Sequence, residues 1–323
     1  MSRDLVVALS GGIGGAKLVL GLSRIVKADN LLVVANVGDD FEHLGLHISP
    51  DADTLMYTLA GLDNTKLGWG RQDETWSFME TLSALGGEDW FRLGDCDLAV
   101  HVERTRRLGQ GDSLSVITAD FCRRLGVGPR VLPATNDRLR TRLRTDEGWL
   151  DFQDYFVRLQ CGPVVRELGF DGADHARPHP DLLAALGDDR LRAVIICPSN
   201  PFISVEPILA VSGMREALLA CSAPVIAVSP IIGGRAVKGP TAKMMTELGI
   251  TPSAAAVAKR YGDLLDGYVM DAGDAEEAAQ VTPTVTLAPT LMTNLAEREQ
   301  LARIVLEAAD ALAASKRRRD LVA

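Results

Sequence analysis

The chain is poor in cysteine and has no excess of basic residues. Its five cysteines are scattered along 323 residues without a Cys-x-x-Cys pair, and no histidine stands at metal-ligand spacing. We therefore interpret the cysteines as reduced core thiols. The formal net charge of −9 disfavours a nucleic acid polymer as partner. A Gly-x-Ser-x-Gly elbow is missing, so covalent catalysis has no obvious candidate.

Long hydrophobic runs are also missing. No apolar run reaches the roughly 18 residues that span a bilayer, and the start Met-Ser-Arg-Asp has no signal-peptide core. We therefore expect a cytoplasmic protein without a membrane partner. The hydrophobic content of 47 % over this length can bury a large core, in one large α/β domain or two smaller ones.

The most informative feature present is an apolar strand that runs into a glycine-rich turn and a lysine, namely Gly11, Gly12, Gly14, Gly15 and Lys17. Glycines let backbone N–H groups approach an anion, and the helix that follows adds its positive end. The segment predicts a binding site for nucleotide phosphates, with an unliganded tight turn as the alternative.

Two established nucleotide motifs do not fit this segment. Lys17 stands where the dinucleotide fingerprint G-x-G-x-x-G needs its third glycine, and the next strand ends in Asn36 rather than in an acidic residue. A hydride-transfer enzyme is therefore disfavoured. The P-loop pattern G-x-x-x-x-G-K-[ST] is not met either.

Strand-like apolar runs recur along the chain, at 5–9, 31–36, 193–197, 225–229 and 268–270. Helical patterns separate several of them, which predicts an α/β fold with a doubly wound, mostly parallel, Rossmann-like sheet. Residues 1–60 and 180–323 are expected to form the nucleotide-binding core. Residues 61–179 are expected to form a helical cap and a hairpin insertion, the hairpin pairing 138–145 with 149–157. The last helix is predicted at about 295–314, followed by a solvated charge run at 316–319.

Polar or glycine-rich segments follow four of these strands. Because ligands sit beyond the carboxyl ends of parallel strands, we expect the segments to share one rim of the sheet. The first is the glycine turn, and the others are 36–40, 198–201 and 229–234. Ser199 and Asn200 suit a ribose or a base edge. Gly233, Gly234 and Lys238 (or Arg235) predict a second anion cradle, with a charged surface turn as the alternative.

Carboxylates crowd the end of the second strand, at Asp39, Asp40, Asp51 and Asp53. Mg²⁺ prefers one or two carboxylates together with phosphate oxygens and water, so this cluster beside a phosphate site predicts magnesium. The alternative for any one residue of the group Ser49, Asp51 and Asp53 is a helix cap. A further stretch, 92–105, concentrates ionisable groups, although a solvated loop would look similar.

Six motifs in matching order make the chain similar to the 2-phospho-L-lactate transferase family, which acts in the biosynthesis of the deazaflavin coenzyme F-420. They are Ser-Gly-Gly-Ile-Gly-Gly-Ala-Lys-Leu at 10–18, Asn-Val-Gly-Asp-Asp at 36–40, Ser-Pro-Asp-Ala-Asp-Thr at 49–54, Leu-Gly-Asp-Cys-Asp at 93–97, Pro-Ser-Asn-Pro at 198–201 and Ser-Pro-Ile-Ile-Gly-Gly at 229–234. The match runs from the first strand to the final helix. Cys96 departs from the pattern, because many relatives carry a basic residue there.

The resemblance implies a magnesium-dependent phosphoryl transfer. The ribityl hydroxyl of the deazaflavin Fo would attack the β-phosphorus of a guanosine diphosphate that carries an organic acid, releasing GMP. Asp53 and Arg92 match the positions that contact Fo, and Asp53 would orient or deprotonate the hydroxyl. Asp39, Asp40 and Asp51 would be the metal ligands. The acid (lactyl, enolpyruvyl or glyceryl) is left open, the partners are small molecules, and the family implies a homodimer.

A second hypothesis comes from the same superfamily, whose regulatory members bind nucleotide sugars without known transfer chemistry. The glycine turn is compatible with both the transferase and the regulatory protein. The stretch 69–105 favours the transferase, because it resembles the acceptor pocket of those enzymes.

Overall fold

A central sheet of seven parallel strands organises residues 3–320, the part of the chain that the computed structural model describes, with side chains to residue 315. In chain order the strands are β1 (Leu5–Ser10), β2 (Leu31–Ala35), β3 (Phe41–His43), β4 (Leu46–Ile48), β5 (Arg130–Pro133), β6 (Arg140–Thr145), β7 (Gly148–Asp151), β8 (Val165–Asp171), β9 (Leu191–Ile196), β10 (Val225–Val228), β11 (Ile231–Ile232), β12 (Arg235–Ala236), β13 (Gly267–Asp271) and β14 (Thr284–Ala288).

Helices cover the sheet and build most of the connections. In chain order they are α1 (Gly12–Ile25), α2 (Pro50–Ala60), α3 (Ser77–Ala84), α4 (Asp95–Gly109), α5 (Leu114–Arg124), α6 (Pro180–Leu186), α7 (Glu206–Ala210), α8 (Met214–Ala220), α9 (Thr241–Glu247), α10 (Ala254–Tyr261) and α11 (Leu295–Asp320). Shorter helical turns lie at Ala28–Asn30, Asp154–Arg158, Pro201–Val205, Gly262–Leu264 and Ala272–Gln280.

The strand order is β5-β2-β1-β9-β10-β13-β14. The chain builds outward from β1 to one edge, returns to place β9 on the other side of β1, and then builds to the opposite edge. The direction of winding therefore reverses between β1 and β9. In a doubly wound sheet this switch point opens the crevice in which ligands bind.

Both faces of the sheet are buried, which explains the nearly continuous apolar runs of its strands. Within β1, Val7 and Leu9 pack into the core on one face, whereas Val6 and Ala8 pack into the core on the other. The predicted α/β fold with a doubly wound parallel sheet is thus confirmed. Among the residues described, no helix is both long and apolar enough to cross a membrane.

The segment predicted as an insertion contains the expected hairpin, in which β6 pairs with β7 and also with β8. The partner strand is shorter than predicted: it ends at Asp151, where the chain turns into Asp154–Arg158. The same segment also contributes β5 to the central sheet, beside β2. The division at residues 60 and 179 stays a prediction.

The final helix begins where predicted, at Leu295, and continues to Asp320 rather than to about residue 314. The predicted charge run at 316–319 concerns side chains outside those described.

Candidate active site

The switch-point crevice joins the glycine segment to the segment that follows β9. The backbone N–H of Gly11 donates to Ser199 Oγ at 3.4 Å, and Ser199 Oγ donates to the Gly11 carbonyl oxygen at 2.7 Å. A Cβ on Gly14 would overlap with the carbonyl oxygen of Pro198. A glycine is therefore needed at position 14 for this close approach.

The carboxylate of Asp51 lies at the N-terminus of α1. Its Oδ1 accepts the backbone N–H of Gly12 at 2.6 Å, and its Oδ2 accepts Asn36 Nδ2 at 2.9 Å. Asp51 lies inside α2, so it is not the N-cap of that helix, which was the alternative to a role as metal ligand. It binds the start of α1 instead. Gly11, the residue before α1, has no side chain to cap the helix, and the carboxylate of Asp51 binds the Gly12 N–H in its place.

Three buried carboxylates meet beside this helix end. Burial raises the pKa of Asp39 well above its ordinary value, and the nearby charge of Asp51 adds to the shift. Burial likewise raises the pKa of Asp51 to about 6, although Asn36 and Gly12 donate hydrogen bonds that oppose the shift. Asp40 Oδ2 accepts Ser49 Oγ at 2.9 Å and lies 3.2 Å from His47 Nε2.

Two oxygens of this group have no hydrogen-bond partner among the residues that the structure describes. Asp39 Oδ1 and Asp40 Oδ1 are buried and lack a hydrogen bond to any part of the chain that the structure describes. Buried oxygens normally have partners. The group therefore combines excess negative charge with free oxygen ligands, as a hard divalent cation requires.

Asp53 lies in a separate buried ion network. Arg104 donates to both of its carboxylate oxygens, and His101 Nδ1 lies 3.7 Å from Oδ2. His101 Nε2 lies 3.2 Å from Asp97, which also accepts the hydroxyl of Tyr57 at 2.6 Å. Burial raises the pKa of Asp53, while Arg104 and His101 oppose that shift.

A metal ion fits this second network poorly. Asp53, Asp97 and His101 each offer one ligand atom, and these atoms lie within 4.8 Å of one another. The fully buried guanidinium of Arg104 already compensates Asp53, however. A cation placed here would face an existing positive charge. In the part of the chain that the structure describes, by contrast, no lysine or arginine pairs with Asp39 or Asp40, and the basic partner of Asp40 is His47.

Arg92 lies at the surface in an aromatic setting. Its guanidinium carbon stands 4.4 Å from the ring centre of Trp76, and Trp76 packs edge-on against Trp69 at 6.2 Å. No hydrogen bond joins Arg92 to Asp53 among the residues described.

Positive charge gathers near the start of α1. Lys17 Nζ donates to the Met292 carbonyl at 3.0 Å, and burial lowers its pKa, as do the charges of Arg298 and Lys238. Lys238 itself donates to the Gly68 carbonyl at 3.2 Å. The crevice therefore brings two of the predicted lysines within electrostatic reach of each other.

The other residues predicted to bind the donor nucleotide form a turn or make hydrogen bonds within the protein. Gly233 and Gly234, both with positive φ, form the turn between β11 and β12, and the Gly233 N–H donates to Asp274 at 2.8 Å. Asn200 Oδ1 accepts the Phe202 N–H at 2.9 Å. Their predicted roles in nucleotide binding stay predictions.

Comparison with known proteins decides the family. The family model described as "2-phospho-L-lactate transferase CofD" matches residues 6–307. The chain belongs to the CofD family. It is therefore an enzyme that transfers a phosphate-containing group, and the family places it in coenzyme F-420 biosynthesis.

Curated CofD relatives match along nearly their whole length. A protein named phosphoenolpyruvate transferase from Kitasatospora aureofaciens is 42 % identical over 315 residues, covering 94 % of this chain and 98 % of the relative. The protein of the same name from Streptomyces coelicolor is 40 % identical over 314 residues, with the same coverage. A solved UPF0052 family structure from Bacillus halodurans superposes with a TM-score of 0.59 at 15 % identity, covering 95 % of this chain and 99 % of that one. The last match shows the fold alone.

Membership of the CofD family confirms the resemblance seen in the sequence and favours the transferase over the regulatory nucleotide-sugar-binding protein. The sequence analysis assigned no role to His101 or Arg104, which the structure places at the centre of a buried network. Their spacing from Asp97, at four and seven residues on α4, was the available signal, because such residues share one helix face.

Proposed function

We propose that the protein transfers the enolpyruvyl phosphate group from its guanosine diphosphate donor to the ribityl hydroxyl of Fo, releasing GMP, with Mg²⁺ bound at Asp39 and Asp40. The observation that carries the proposal is the pair of unpartnered carboxylate oxygens beside the glycine segment, at the switch point of the sheet. The choice of the enolpyruvyl donor follows the names of relatives about 40 % identical.

The residues fit the metal that the family resemblance implies. Mg²⁺ takes oxygen ligands, keeps several waters and usually binds one or two protein carboxylates together with phosphate oxygens. Asp39 and Asp40 meet this description, because each has one buried oxygen that the described chain does not use. Both Asp51 oxygens already accept hydrogen bonds, so we assign Asp51 to positioning the start of α1 first and to the metal second. A bound Mg²⁺ would neutralise charge on the donor's diphosphate.

The protein's own groups would bind and orient the reactants. First-turn N–H groups of α1 would hold the donor's phosphates, with Lys17 adding charge. The hydroxyl oxygen of Fo forms a new bond to the β-phosphorus, the bond from that phosphorus to the oxygen bridging the two phosphates breaks, and GMP leaves with the bridging oxygen. The hydroxyl proton must pass to a base. We propose Asp53 for that position, where its raised pKa favours proton uptake.

The remaining proposals concern binding and assembly. Arg92 with its aromatic neighbours Trp76 and Trp69 is proposed to contact Fo, and Ser199, Asn200, Gly233, Gly234 and Lys238 are proposed to contact the donor nucleotide. We also propose that the protein is a cytoplasmic homodimer with small-molecule substrates only. Light scattering of the purified protein tests the dimer, and a mass of one chain would contradict it.

The reaction test compares donors. Purified protein is incubated with Fo, Mg²⁺ and the lactyl, enolpyruvyl or glyceryl guanosine diphosphate, and GMP release and product mass are followed. We expect product from the enolpyruvyl donor at the highest kcat/KM. Product from only the lactyl or the glyceryl donor would show that the donor carries that acid and not enolpyruvate. No product from any donor would contradict the proposed transfer.

A further inference from the structure

The strand β14 leaves one edge of the central sheet open. It pairs with β13 along one side, and within the part of the chain that the structure describes no strand pairs with its other side. The Thr284 N–H donates to the carbonyl of Asp266, directly before β13, at 3.2 Å. Because backbone groups alternate in direction along a strand, the N–H and carbonyl groups of Val285 and Leu287 point away from the sheet. Such groups are a template for pairing with another strand.

This edge lacks the charged side chains that usually prevent pairing. Proteins commonly protect an edge strand with charge. The opposite edge of the sheet follows that rule, because Arg130 of β5 donates to Asp181 at 2.6 Å. The 19 residues from Ala278 to Ala296, which include β14, carry no charge in a chain that is 24 % charged. No charge on this segment therefore opposes the approach of a second strand.

Exposed leucines continue this uncharged surface. Leu287 on β14 is 45 % exposed, Leu291 in the loop that follows is 49 % exposed, and Leu295 at the start of α11 is 41 % exposed. Single exposed leucines are ordinary, but these three follow one another along a short segment beside an open strand. A partner that covers them removes apolar surface from water as it pairs with the strand.

Two prolines limit what can pair with this edge. Pro283 and Pro289 are the next residues in the outward-pointing series to which Val285 and Leu287 belong, and proline has no N–H to donate. An unrelated strand would therefore find carbonyls without donors at both ends. A second copy of β14, antiparallel about a two-fold axis at Thr286, sets Pro283 opposite Pro289 of that copy. Each missing donor then faces a missing donor, so the proline pattern favours a second copy as the partner.

The side chains are complementary in the same register. Val285 lies opposite Leu287 of the second copy on one face of the extended sheet, and Thr286 lies opposite its own counterpart on the other face. Apolar pairs with a β-branched member and threonine pairs both stabilise adjacent strands. A pairing shifted by two residues sets Leu287 opposite Pro283 instead, which leaves the Leu287 carbonyl without a donor. The edge therefore specifies one register with itself.

We infer that two copies of the chain associate through their β14 edges, antiparallel about a two-fold axis at Thr286, so that one sheet continues through both copies. The inference rests on the homodimer of the proposed function and adds the surface that forms it. A contact of this symmetry closes after two copies. It also holds the loop after β14, whose Met292 carbonyl accepts a hydrogen bond from Lys17.

A disulfide tests the position of the axis. Opposed residues of an antiparallel pair that do not bond to each other have Cα atoms about 4.5 Å apart, which a disulfide can bridge. Thr286→Cys should therefore link two copies under mild oxidation. Thr284→Cys is the matched control, because two Thr284 positions lie about 13 Å apart along the paired strands. Both variants carry Cys96→Ser, since Cys96 is exposed, and are compared with Cys96→Ser alone.

We expect Thr286→Cys to form a covalent dimer on non-reducing gels, roughly tenfold more of it than Thr284→Cys or the Cys96→Ser parent forms. Reduction should return the chain to its single mass. Equal cross-linking of Thr286→Cys and Thr284→Cys would overturn the inference, and so would the absence of a cross-link in both.

A charge on the edge tests the contact without a cross-link. Leu287→Lys places a lysine of each copy beside the axis, and Leu219→Lys, on α8 at 50 % exposure, is the control. We expect light scattering over a dilution series to give a dimer Kd at least about tenfold higher for Leu287→Lys and unchanged for the control. A circular dichroism spectrum like that of wild type shows that the variant is folded. Equal dimer Kd values in the two folded variants would overturn the inference.

These results are distinguishable from the tests of the proposed function. A wild-type mass of two chains without a Thr286→Cys cross-link overturns the β14 contact and leaves the homodimer in place. A wild-type mass of one chain overturns both. GMP release tests the transfer reaction separately, so its absence in a protein that cross-links through Thr286→Cys contradicts the proposed reaction alone.

Discussion

The backbone N–H of Gly12 donates a 2.6 Å hydrogen bond to Asp51, so a carboxylate of one helix binds the N-terminus of another. The same carboxylate accepts the amide of Asn36, which is the residue directly after β2. One side chain thus connects the glycine segment to the acidic loop that holds Asp39 and Asp40. The phosphate-binding end of α1 and the proposed metal ligands are therefore positioned together.

Gly14→Ala tests the contact between the glycine segment and the segment after β9. The new Cβ would overlap with the Pro198 carbonyl oxygen, a backbone atom that cannot move alone. We expect a loss of about 1–3 kcal/mol in the free energy of unfolding and at least tenfold weaker nucleotide binding. Gly109→Ala, where a Cβ meets open space, is the control and should be neutral or slightly stabilising. Equal behaviour of the two variants in urea unfolding and nucleotide titration would contradict this contact.

Asp53 and Arg104 form a pair whose structural and catalytic roles can be separated. Asp53→Asn leaves the buried Arg104 uncompensated, so we expect a loss of about 3–5 kcal/mol in stability as well as a roughly hundredfold loss of turnover. Adding Arg104→Met should recover stability and leave turnover low. If turnover recovers together with stability, Asp53 acts only as the partner of Arg104 and is not a catalytic residue. Urea unfolding and GMP release on the same preparations make the comparison.

Lys17→Ala should weaken binding of guanosine diphosphate about 10- to 100-fold, because a hydrogen bond from a charged group is worth roughly 1.5–3 kcal/mol. Calorimetry in the presence of Mg²⁺ measures the change, and Lys27→Ala, an exposed lysine beyond α1, is the control. Unchanged affinity in Lys17→Ala would contradict this role and indicate that the donor's phosphates bind at the loop that carries Lys238.

The aromatic cluster around His43 is expected to make the folded protein less stable at acidic pH. Burial lowers its pKa below the ordinary 6.5, Arg158 lowers it further, and Glu88 opposes both. The folded state then binds this proton less well than the unfolded state, so stability is lost as the pH falls below 6.5. We expect the melting temperature to fall from pH 6.5 to about 5, and less steeply in His43→Phe than in the exposed control His175→Phe. Parallel curves for the two variants would remove His43 as the cause.

The sequence predicts the rim of the site better than its interior. Segments that follow parallel strands must share one edge, and so the glycine turn could be placed beside Ser199 across 188 residues. Strand β5 escaped prediction because its four residues begin with arginine and end with proline, without a distinct apolar run. The burial of Arg104 depends on Asp53, 51 residues away on another helix, and local patterning carries no trace of that contact.

The dependence of turnover on Mg²⁺ in Asp39→Asn tests the central claim most directly. GMP release from the enolpyruvyl donor is measured with Fo over a range of Mg²⁺ concentrations, with the exposed Asp189→Asn as control. The proposed metal site predicts that wild type and control need Mg²⁺ and that Asp39→Asn loses about a hundredfold or more in kcat/KM and requires more Mg²⁺. An Asp39→Asn enzyme with the turnover and Mg²⁺ dependence of wild type would contradict it.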